Sequence, residues 1–371
     1  MRRWMACLIG LIMAVSWLPA MAEMAQEAAT SGDYEYIVLE DGTAAITKYN
    51  GSGETLEIPS ELDGIPVTEI GEEAVYWHTE LKRVVIPEGV RSIGAKAFAV
   101  CEALEEAALP EGIERIGDYA FTSCYALERL AIPDSVVEIG INPFVLCGRL
   151  TKLEISGEQP RFAMASGALI DNAEGRLISY LAAGGEGTCD IPEGVKRIGE
   201  SAFSGCNNLK SVTIPESVTQ IGPYAFNGCS GLTAVELPQG LQEIGHFAFY
   251  HCDGLTRMTI PGSVERIGNA AFRDCYSLSE LTIQEGVSSI GELAFAECEA
   301  LESVVIPEGV ASIGKEAFSG CEGLRSVVVP ASVESIGNWA FMDCDDVVLT
   351  VEEGSAAAAY CSQNGVSCVF Q

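Results

Sequence analysis

The sequence predicts a β-rich protein of the α/β class in which short repeats stack into one solenoid. The first observation is a pair formed by an apolar residue and proline that recurs every 23 residues, as in Ile191-Pro192 and Ile214-Pro215. The second is that other columns recur in the same step, for example Ile198-Gly199, Ala202-Phe203 and Cys206. We count eleven such units, of which the first is degenerate. A fixed period of this length indicates coils that pack only on their neighbours.

Each column of the repeat predicts one structural feature. Leu209, Val212 and Ile214 form the pattern L-x-x-V-x-I, which predicts a short strand whose alternate side chains point inward. The proline that follows ends the strand because it has no N–H to donate. The glycine of each Ile-Gly pair predicts a bend where a Cβ would be crowded. The Ala-Phe pair predicts one buried ring per coil, ten in all, from Phe98 to Phe341.

The first 22 residues predict a secretory signal peptide. Arg2 and Arg3 precede an apolar run, and Ala20-Met21-Ala22 supplies small residues for cleavage before Glu23. The run is too short for a stable membrane span, although an uncleaved anchor is the alternative. We therefore expect an exported protein, secreted or at the cell surface, with no membrane span once the signal is removed.

Segments that depart from the repeat set the predicted domain boundaries. Residues 23–33 are predicted as a linker, and residues 34–64 as an N-terminal β-hairpin cap. Repeats then fill residues 65–155 and 191–351. The segment between them, 156–190, predicts a second hairpin that bulges from one coil. Residues 352–371 predict a C-terminal cap with a short helix.

The full unit reads I-P-x-x-V-x-x-I-G-x-x-A-F-x-x-C-x-x-L-x-x-V-x, and most of residues 65–351 follow it. This pattern resembles the BspA-like, or Treponema-type, leucine-rich repeat of bacterial surface proteins. The resemblance implies a curved right-handed leucine-rich repeat solenoid with a parallel β-sheet on its concave face and short turns or 3₁₀ segments on its convex face. It also implies a surface or secreted protein involved in adhesion or in contacts with other proteins.

Fourteen cysteines raise the question of a disulfide framework or a zinc site. Zinc ligands come in close pairs, whereas ten of these cysteines occupy one column of the repeat. Stacked coils place Cβ atoms about 4.8 Å apart with parallel vectors, but a disulfide needs converging Cβ atoms near ~3.8 Å. We therefore predict buried free thiols at Cys101, Cys124, Cys147, Cys206, Cys229, Cys252, Cys275, Cys298, Cys321 and Cys344. Cys361 and Cys368 could form a disulfide across the C-terminal cap or stay reduced.

The charge of the chain excludes several classes of partner. With 21 Lys+Arg against 53 Asp+Glu, the formal net charge is −32, so nucleic acid and anionic membrane surfaces would be repelled. No cofactor fingerprint appears, and we expect no cofactor and no metal. His78, His246 and His251 form no recognisable nucleophile–base pair, so we expect no enzyme. A hydrolase built on segment 156–190 and a calcium-binding stripe of acids beside the strand prolines remain as alternatives.

The exposed strand positions between the inward residues are the predicted binding surface. About ten strands at ~4.8 Å spacing would span roughly 50 Å, which is enough for an interface of standard size. The candidate ligand-binding residues on this concave face are Arg83, Arg129, Lys152, Ser211, Thr213, Glu236, Arg257, Thr259, Glu280 and Thr282. A second candidate surface is an aromatic column formed by Tyr119, Tyr224, Phe247 and Trp339.

Together these observations predict a non-enzymatic recognition or adhesion protein that binds a protein or glycan ligand on its solenoid surface. The alternative is a structural spacer or shielding protein of the cell envelope without a dedicated ligand. The sequence leaves open the identity of the ligand, the oligomeric state and whether the mature chain stays at the surface.

Overall fold

The computed structural model of the protein describes residues 28–157, 159–181, 183 and 187–371. The predicted signal peptide, residues 1–22, lies outside this range. No helix in these described ranges is long and apolar enough to cross a membrane. The described chain is a β-solenoid of about 14 turns, which confirms the predicted fold class.

The N-terminal segment forms a small antiparallel sheet ahead of the coils. Its strands are β1 (Ala29–Ser31), β2 (Tyr34–Val38), β3 (Ala44–Tyr49), β5 (Glu61–Leu62) and β6 (Ile65–Ile70), whereas β4 (Thr55–Glu57) starts the ladder of longer strands. Strands β1, β2 and β3 pair antiparallel, and β3 then pairs in parallel with β6, where the stack of coils begins. Residues 23–33 were predicted as a linker, and this prediction is wrong for the residues that form β1. Gly32, at a φ of 57°, lets the chain reverse so that β1 gains backbone hydrogen bonds along the edge of β2.

Each regular coil contains two strands, whereas the repeat pattern predicted one. In the first run of coils the strands are β7 (Arg83–Val85), β8 (Ser92–Ile93), β9 (Glu106–Ala108), β10 (Arg115–Ile116), β11 (Arg129–Ile132), β12 (Glu138–Ile139) and β13 (Lys152–Ile155). The two-residue strands contain the isoleucine of each Ile-Gly pair. The glycine that follows each of them was predicted as a bend. The glycine N–H extends the short ladder by donating to the preceding coil, as Gly117 does to the Ile93 oxygen at 2.8 Å.

The segment between the two runs of coils forms three antiparallel strands, which we call the meander. They are β14 (Phe162–Ala165), β15 (Ala168–Asp171) and β16 (Arg176–Tyr180). Leu169 and Ile178 pack into the core of the first half, whereas Leu177 and Tyr180 pack into the core of the second half. The predicted hairpin is present as β15 and β16, but the prediction that it bulges from one coil is wrong. The meander is a layer between the two runs of coils, and both of its faces are buried.

The second run of coils repeats the two-strand pattern up to the C-terminal cap. Its strands are β17 (Thr188–Asp190), β18 (Arg197–Ile198), β19 (Ser211–Thr213), β20 (Gln220–Ile221), β21 (Ala234–Glu236), β22 (Glu243–Ile244), β23 (Arg257–Ile260), β24 (Arg266–Ile267), β25 (Glu280–Ile283), β26 (Ser289–Ile290), β27 (Ser303–Val305), β28 (Ser312–Ile313), β29 (Ser326–Val328), β30 (Ser335–Ile336) and β31 (Val348–Val351). The last coil is covered by α1 (Ala356–Asn364) and by β32 (Ser367–Phe370), which pairs with β31. Cys361 and Cys368 in this cap are both free thiols.

The two sets of strands form ladders of different length. The short strands join the N-terminal strands in an 8-stranded sheet and the meander in a 10-stranded sheet. The longer strands are divided among sheets of three, two, five and four strands. The predicted continuous sheet of about ten strands is therefore interrupted. One reason is that the meander separates β13 from β17.

The turn segments after the short strands hold the aromatic and cysteine columns. The phenylalanine rings stack from coil to coil with centroids between 4.8 and 6.1 Å apart. Each column cysteine donates its thiol hydrogen to a backbone oxygen of the preceding coil, as Cys275 does to Phe249 at 3.2 Å. The prediction of buried free thiols in this column is confirmed. Because every thiol bonds to another coil, the column joins neighbouring turns.

Replacement of Gly268 by alanine should destabilise the stack by about 1–3 kcal/mol, the usual cost of overpacking. A Cβ at this position would lie 2.5 Å from the carbonyl carbon and oxygen of Gly245. A change of rotamer cannot relieve that contact because the neighbour is backbone. Gly240→Ala is the matched control, since its Cβ would meet only the Glu216 oxygen, at 3.8 Å. Urea unfolding compares the two variants, and equal stability would contradict the close approach of the coils.

Charged side chains fasten the meander to the coils. Asp171 is fully buried and accepts hydrogen bonds from Nε and Nη2 of Arg161, at 3.0 and 2.9 Å. Arg176 donates to the backbone oxygens of Ile139 and Gly140, at 2.7 and 3.2 Å. These oxygens lie at the end of the short ladder of the first half. The guanidinium therefore replaces the N–H groups that a further coil would supply.

Candidate functional site

Alternate side chains of the longer strands point to solvent and form one surface, which we call the strand face. All ten predicted ligand-binding residues lie on it and are exposed. The residues between them, such as Leu130, Val212 and Met258, are buried in the core. The period of two that is typical of strands thus places the candidates on the surface. Their binding of a ligand stays a prediction.

The meander divides the strand face into two patches. Arg83, Arg129 and Lys152 lie before the meander, on β7, β11 and β13, and form the N-terminal patch. The other predicted residues lie after it, on β19 to β25, and form the C-terminal patch: Ser211, Thr213, Glu236, Arg257, Thr259, Glu280 and Thr282. The structure thus gathers the candidates into two groups, whereas the sequence predicted one continuous strip.

The N-terminal patch contains a shallow groove of about 960 Å³. Its lining includes Lys82, Arg83, Glu106, Arg129, Arg149 and Glu154. Arg83 Nε lies 3.0 Å from Glu106 Oε2 on the next coil. Lys152 pairs with Glu154 on its own strand, and that contact lowers the pKa of Glu154. Because these pairs are exposed to solvent, they contribute little to stability and leave the groove open to a ligand.

Two arginines of this groove have no hydrogen-bonding or ion-pair partner among the described residues. Arg129 lies beside Lys152 on the next strand, and Arg149 lies in the turn that leads into that strand. A guanidinium presents five donors in one plane, so both side chains are suited to carboxylate or hydroxyl oxygens of a ligand. The sequence analysis missed Arg149. A signal was available, because Arg149 is the only cation that directly precedes a repeat leucine.

The C-terminal patch has a smaller groove, of about 410 Å³, around Arg257. Arg257 lies between Ala234 and Glu280 on the neighbouring strands. Glu236 and Thr259 line the same groove. Within the part of the chain that the structure describes, the Arg257 guanidinium makes no hydrogen bond or ion pair. Both patches therefore combine an unpaired arginine with carboxylates, and the second adds hydroxyl groups.

The aromatic column, the second predicted surface, makes most of its contacts within the protein. Tyr224 and Phe247 stack with centroids 4.9 Å apart and line a cavity of about 530 Å³. Tyr119 donates a hydrogen bond to Glu200 at 2.9 Å, across the junction between the two halves. Trp339 lies under a lysine nitrogen, 5.5 Å from its ring centroid. This column serves packing at several of its positions, and we favour the strand face as the binding surface.

Two of the three histidines have local hydrogen-bonding roles. His78 Nε2 lies 3.1 Å from the Tyr49 oxygen, and His246 Nδ1 accepts a hydrogen bond from the Asn269 N–H at 2.8 Å. Within the described ranges, no group of three or more His, Cys, Asp or Glu side chains is arranged to hold a metal ion. His251 belongs to a separate cluster of polar and aromatic side chains on the turn segments.

Comparison with known proteins agrees with the repeat pattern. The family model described as a BspA type leucine rich repeat region matches residues 52–162, 187–299 and 221–348. No curated protein sequence matches the chain.

Several solved structures are similar to the chain. A leucine-rich repeat protein from Eubacterium ventriosum is 24% identical over 78% of this chain and 93% of its own, with a TM-score of 0.58. The pneumococcal vaccine antigen PcpA is 19% identical over 93% of this chain and 99% of its own, with a TM-score of 0.59. A leucine rich cell surface protein from Faecalibacterium prausnitzii is 25% identical over 93% of this chain and 99% of its own, with a TM-score of 0.44. The first two similarities show the fold alone.

Proposed function

Because the chain belongs to the BspA-type leucine-rich repeat family, we propose that it is an exported recognition or adhesion protein without enzymatic activity. Its strand face binds a protein or glycan ligand, with Arg129, Arg149 and Arg257 as the principal donors. The observation that carries this proposal is the pair of strand-face grooves that each contain at least one unpaired arginine, in a chain with a net charge of −32.

Unpaired arginines are unexpected in so acidic a chain. The 53 carboxylate side chains outnumber the 21 lysines and arginines, so most surface cations have an acid within reach. Arg129 and Arg257 on the strand face, and Arg149 in the turn beside it, nevertheless point to solvent without an ion pair in the described structure. The same holds elsewhere in the described chain for Arg91, Arg115 and Arg266. Arginine is among the residues enriched at protein interfaces and at their energetic centres. Within the two grooves, Arg129, Arg149 and Arg257 are therefore the positions where a ligand would gain most.

The strand face is also large enough for a specific interface. The strand face has four longer strands from β7 to β13 and eight from β17 to β31, with the end strands included. At a spacing of about 4.8 Å the two patches extend roughly 20 and 40 Å, comparable to an interface of standard size. The patches differ in charge, so one ligand that contacts both would be held in a single orientation.

Export and a location outside the cell are part of the proposal. They rest on the predicted signal peptide, residues 1–22, and on the family. The described cysteines are all free, and all except Cys368 are buried. Free thiols in an exported protein favour an environment that is poor in oxidants.

A spacer protein without a ligand is the second candidate, and one observation favours it. Much of the C-terminal patch consists of short hydroxylated side chains that are common in solvated strands, such as Ser211, Thr213 and Thr259. Thr213 Oγ1 already donates a hydrogen bond to Asp190 Oδ1, at 2.7 Å. If the protein is a spacer, reversing the charge of strand-face residues will not change its binding to any component of the array described below.

An array of extracellular-matrix proteins and glycans tests the proposal. We expect the wild-type chain to bind at least one component, and the double variant Arg129→Glu/Arg257→Glu to bind it about 100-fold more weakly. The matched control is Arg115→Glu/Arg266→Glu, which makes the same change of charge on the exposed short strands β10 and β24. Surface plasmon resonance measures the three affinities.

The outcomes separate the two candidates. An equal loss of affinity in both double variants would mean that total charge, not the strand face, controls binding. Binding that neither double variant weakens would contradict the strand face as the site. No binding to any component would favour the spacer.

A further inference from the structure

We propose that the turn segments of two successive coils carry a saccharide-binding site, distinct from the strand face. We call this group of side chains the turn cluster; its members are Tyr250, His251, Asp253, Arg273, Asp274 and Tyr276. The inference rests on the proposed function in that it names one ligand class for an exported recognition protein, and it adds a site that the strand face does not include.

The centre of the turn cluster is a buried carboxylate between two basic side chains. The Asp274 side chain is only 7% exposed. Its Oδ2 atom lies 3.4 Å from His251 Nε2, and its Oδ1 atom lies 3.6 Å from Arg273 Nε. On the other side of the imidazole, His251 Nδ1 lies 3.8 Å from Asp253 Oδ1. The carboxylate therefore holds the imidazole and the guanidinium at the surface without satisfying all their polar atoms.

Two tyrosine rings flank this polar centre. The Tyr250 ring centroid lies 4.2 Å from that of His251, and the Tyr276 centroid lies 6.3 Å from it. Tyr276 is 38% exposed, so much of its ring is available to a ligand. The cluster thus presents an aromatic surface next to charged groups, on consecutive coils.

Unsatisfied polar atoms are concentrated in the turn cluster. Among the described side chains, only three buried nitrogen or oxygen atoms lack a hydrogen-bond partner, and two of them are Asp253 Oδ1 and Arg273 Nε. The first is an acceptor and the second is a donor. Buried polar atoms normally find a partner in the protein, in water or in a ligand. A ligand that completes this site must both donate and accept hydrogen bonds at neighbouring positions.

That requirement favours a saccharide over a lysine, carboxylate or phosphate ligand. Sugar hydroxyls donate and accept hydrogen bonds, and the C–H face of a sugar ring packs against a tyrosine ring. A lysine side chain only donates, and a carboxylate or phosphate only accepts, so each would leave one of the two atoms unsatisfied. Aromatic rings with a few convergent polar groups are also typical of small-ligand sites.

The backbone of the cluster allows the side chains to be removed without strain. His251 and Asp274 have φ values of 54° and 60°, in the left-handed region that favours glycine. The same position of other coils is glycine, at Gly205, Gly228 and Gly320, each also with positive φ. Glycine at residue 251 is therefore compatible with the coil. The position accepts either glycine or a side chain, since Val100 and Leu146 occupy it in other coils with positive φ.

Titration with defined oligosaccharides tests the site. The probes are tetrasaccharides of glucose, mannose, galactose and N-acetylglucosamine, observed by saturation-transfer NMR and isothermal calorimetry. We expect at least one probe to bind the wild-type chain, and both Asp253→Ala/Tyr276→Ala and His251→Gly to weaken it at least 10-fold. The matched control is Ser230→Ala/Glu322→Ala. It changes the position equivalent to Asp253 and Tyr276 in two coils that have glycine two residues earlier, Gly228 and Gly320, where the cluster has His251 and Asp274, and it should bind like the wild type.

The outcomes distinguish this inference from the proposed function. If no tetrasaccharide binds, or if the cluster variants bind as well as the wild type, the inference is wrong, while binding of an array protein through the strand face would still support the proposed function. Binding of penta-lysine that is lost in Asp253→Ala/Tyr276→Ala, without saccharide binding, would overturn the inference in favour of a cationic ligand. Saccharide binding that is lost only in Arg129→Glu/Arg257→Glu would move the site to the strand face.

Discussion

The free energy of unfolding should fall by on the order of 10 kcal/mol between about pH 8 and about pH 10. Burial raises the pKa of Cys101, Cys147 and Cys229 to about 12. Burial also raises the pKa of Cys124, Cys206, Cys252, Cys275 and Cys298, whereas hydrogen bonds to neighbouring column thiols, followed by burial, raise the pKa of Cys321 and Cys344. In the unfolded chain a thiol has a pKa of about 8.5. Above that pH the unfolded chain loses protons that the folded chain keeps, so stability falls as the pH rises. At pH 10 each thiol accounts for about 1–2 kcal/mol.

Urea unfolding in an oxygen-free buffer, repeated at several pH values, measures this dependence. The double variant Cys275→Ser/Cys298→Ser is the control for lysine and tyrosine ionisation, because it removes two column thiols and no other titrating group. Its free energy of unfolding should fall less steeply with pH, because unfolding at high pH would release up to two fewer protons. A wild-type stability that stays constant up to pH 10 would mean that the thiols are not held in the core.

Replacement of Asp171 by alanine should destabilise the protein by about 3–5 kcal/mol, the usual cost of breaking a buried ion pair. Asp171 is fully buried in the meander and accepts two hydrogen bonds from Arg161. It also accepts hydrogen bonds from the N–H groups of Ala173 and Glu174, at 3.0 and 3.2 Å, which shape the turn into β16. Its loss leaves two N–H groups without their acceptor and leaves the Arg161 guanidinium with only Glu174 Oε1, at 3.5 Å, among the described acceptors. Urea unfolding followed by circular dichroism measures the effect.

Asp190→Ala is the matched control for this variant. Asp190 is also the last residue of a strand, β17, but it is exposed. Its replacement should change the stability by less than about 0.5 kcal/mol. If the two variants were equally stable, the meander would not be the layer between the two cores that the structure shows.

The sequence predicted the core of the coils well, because packing imposes the same residue types at every step. The strand positions around Val212, the stacked rings from Phe98 to Phe341 and the thiol column all recur with one period. A column that recurs eleven times cannot be an accident of local composition. The structure places these residues in the core as the pattern predicts.

The second ladder and the meander were not predicted, for different physical reasons. A strand of two residues, such as β24, is too short to show the alternation by which strands are recognised. The meander is buried because coils on both sides cover it, and a local pattern cannot show what covers a segment. Leu169 and Leu177 therefore looked like one face of an isolated hairpin, although they pack into different cores.

The candidate site was predictable in part. Strand alternation placed residues such as Arg129 and Arg257 on the surface, but it could not show that the meander separates them. The turn cluster was missed because its members are divided between two repeats and do not form a recurring column. The repeat register does contain the signal, since His251 and Asp274 are one period of 23 residues apart and therefore stack.

Amide hydrogen exchange tests most directly whether the strand face is where a ligand binds. The exchange of the wild-type chain is measured with and without the ligand that the array identifies. We expect slower exchange in β7, β11, β23 and β25 and unchanged exchange in the short strands β10 and β24. Slowing confined to the short strands, with none in the longer strands, would contradict binding at the strand face.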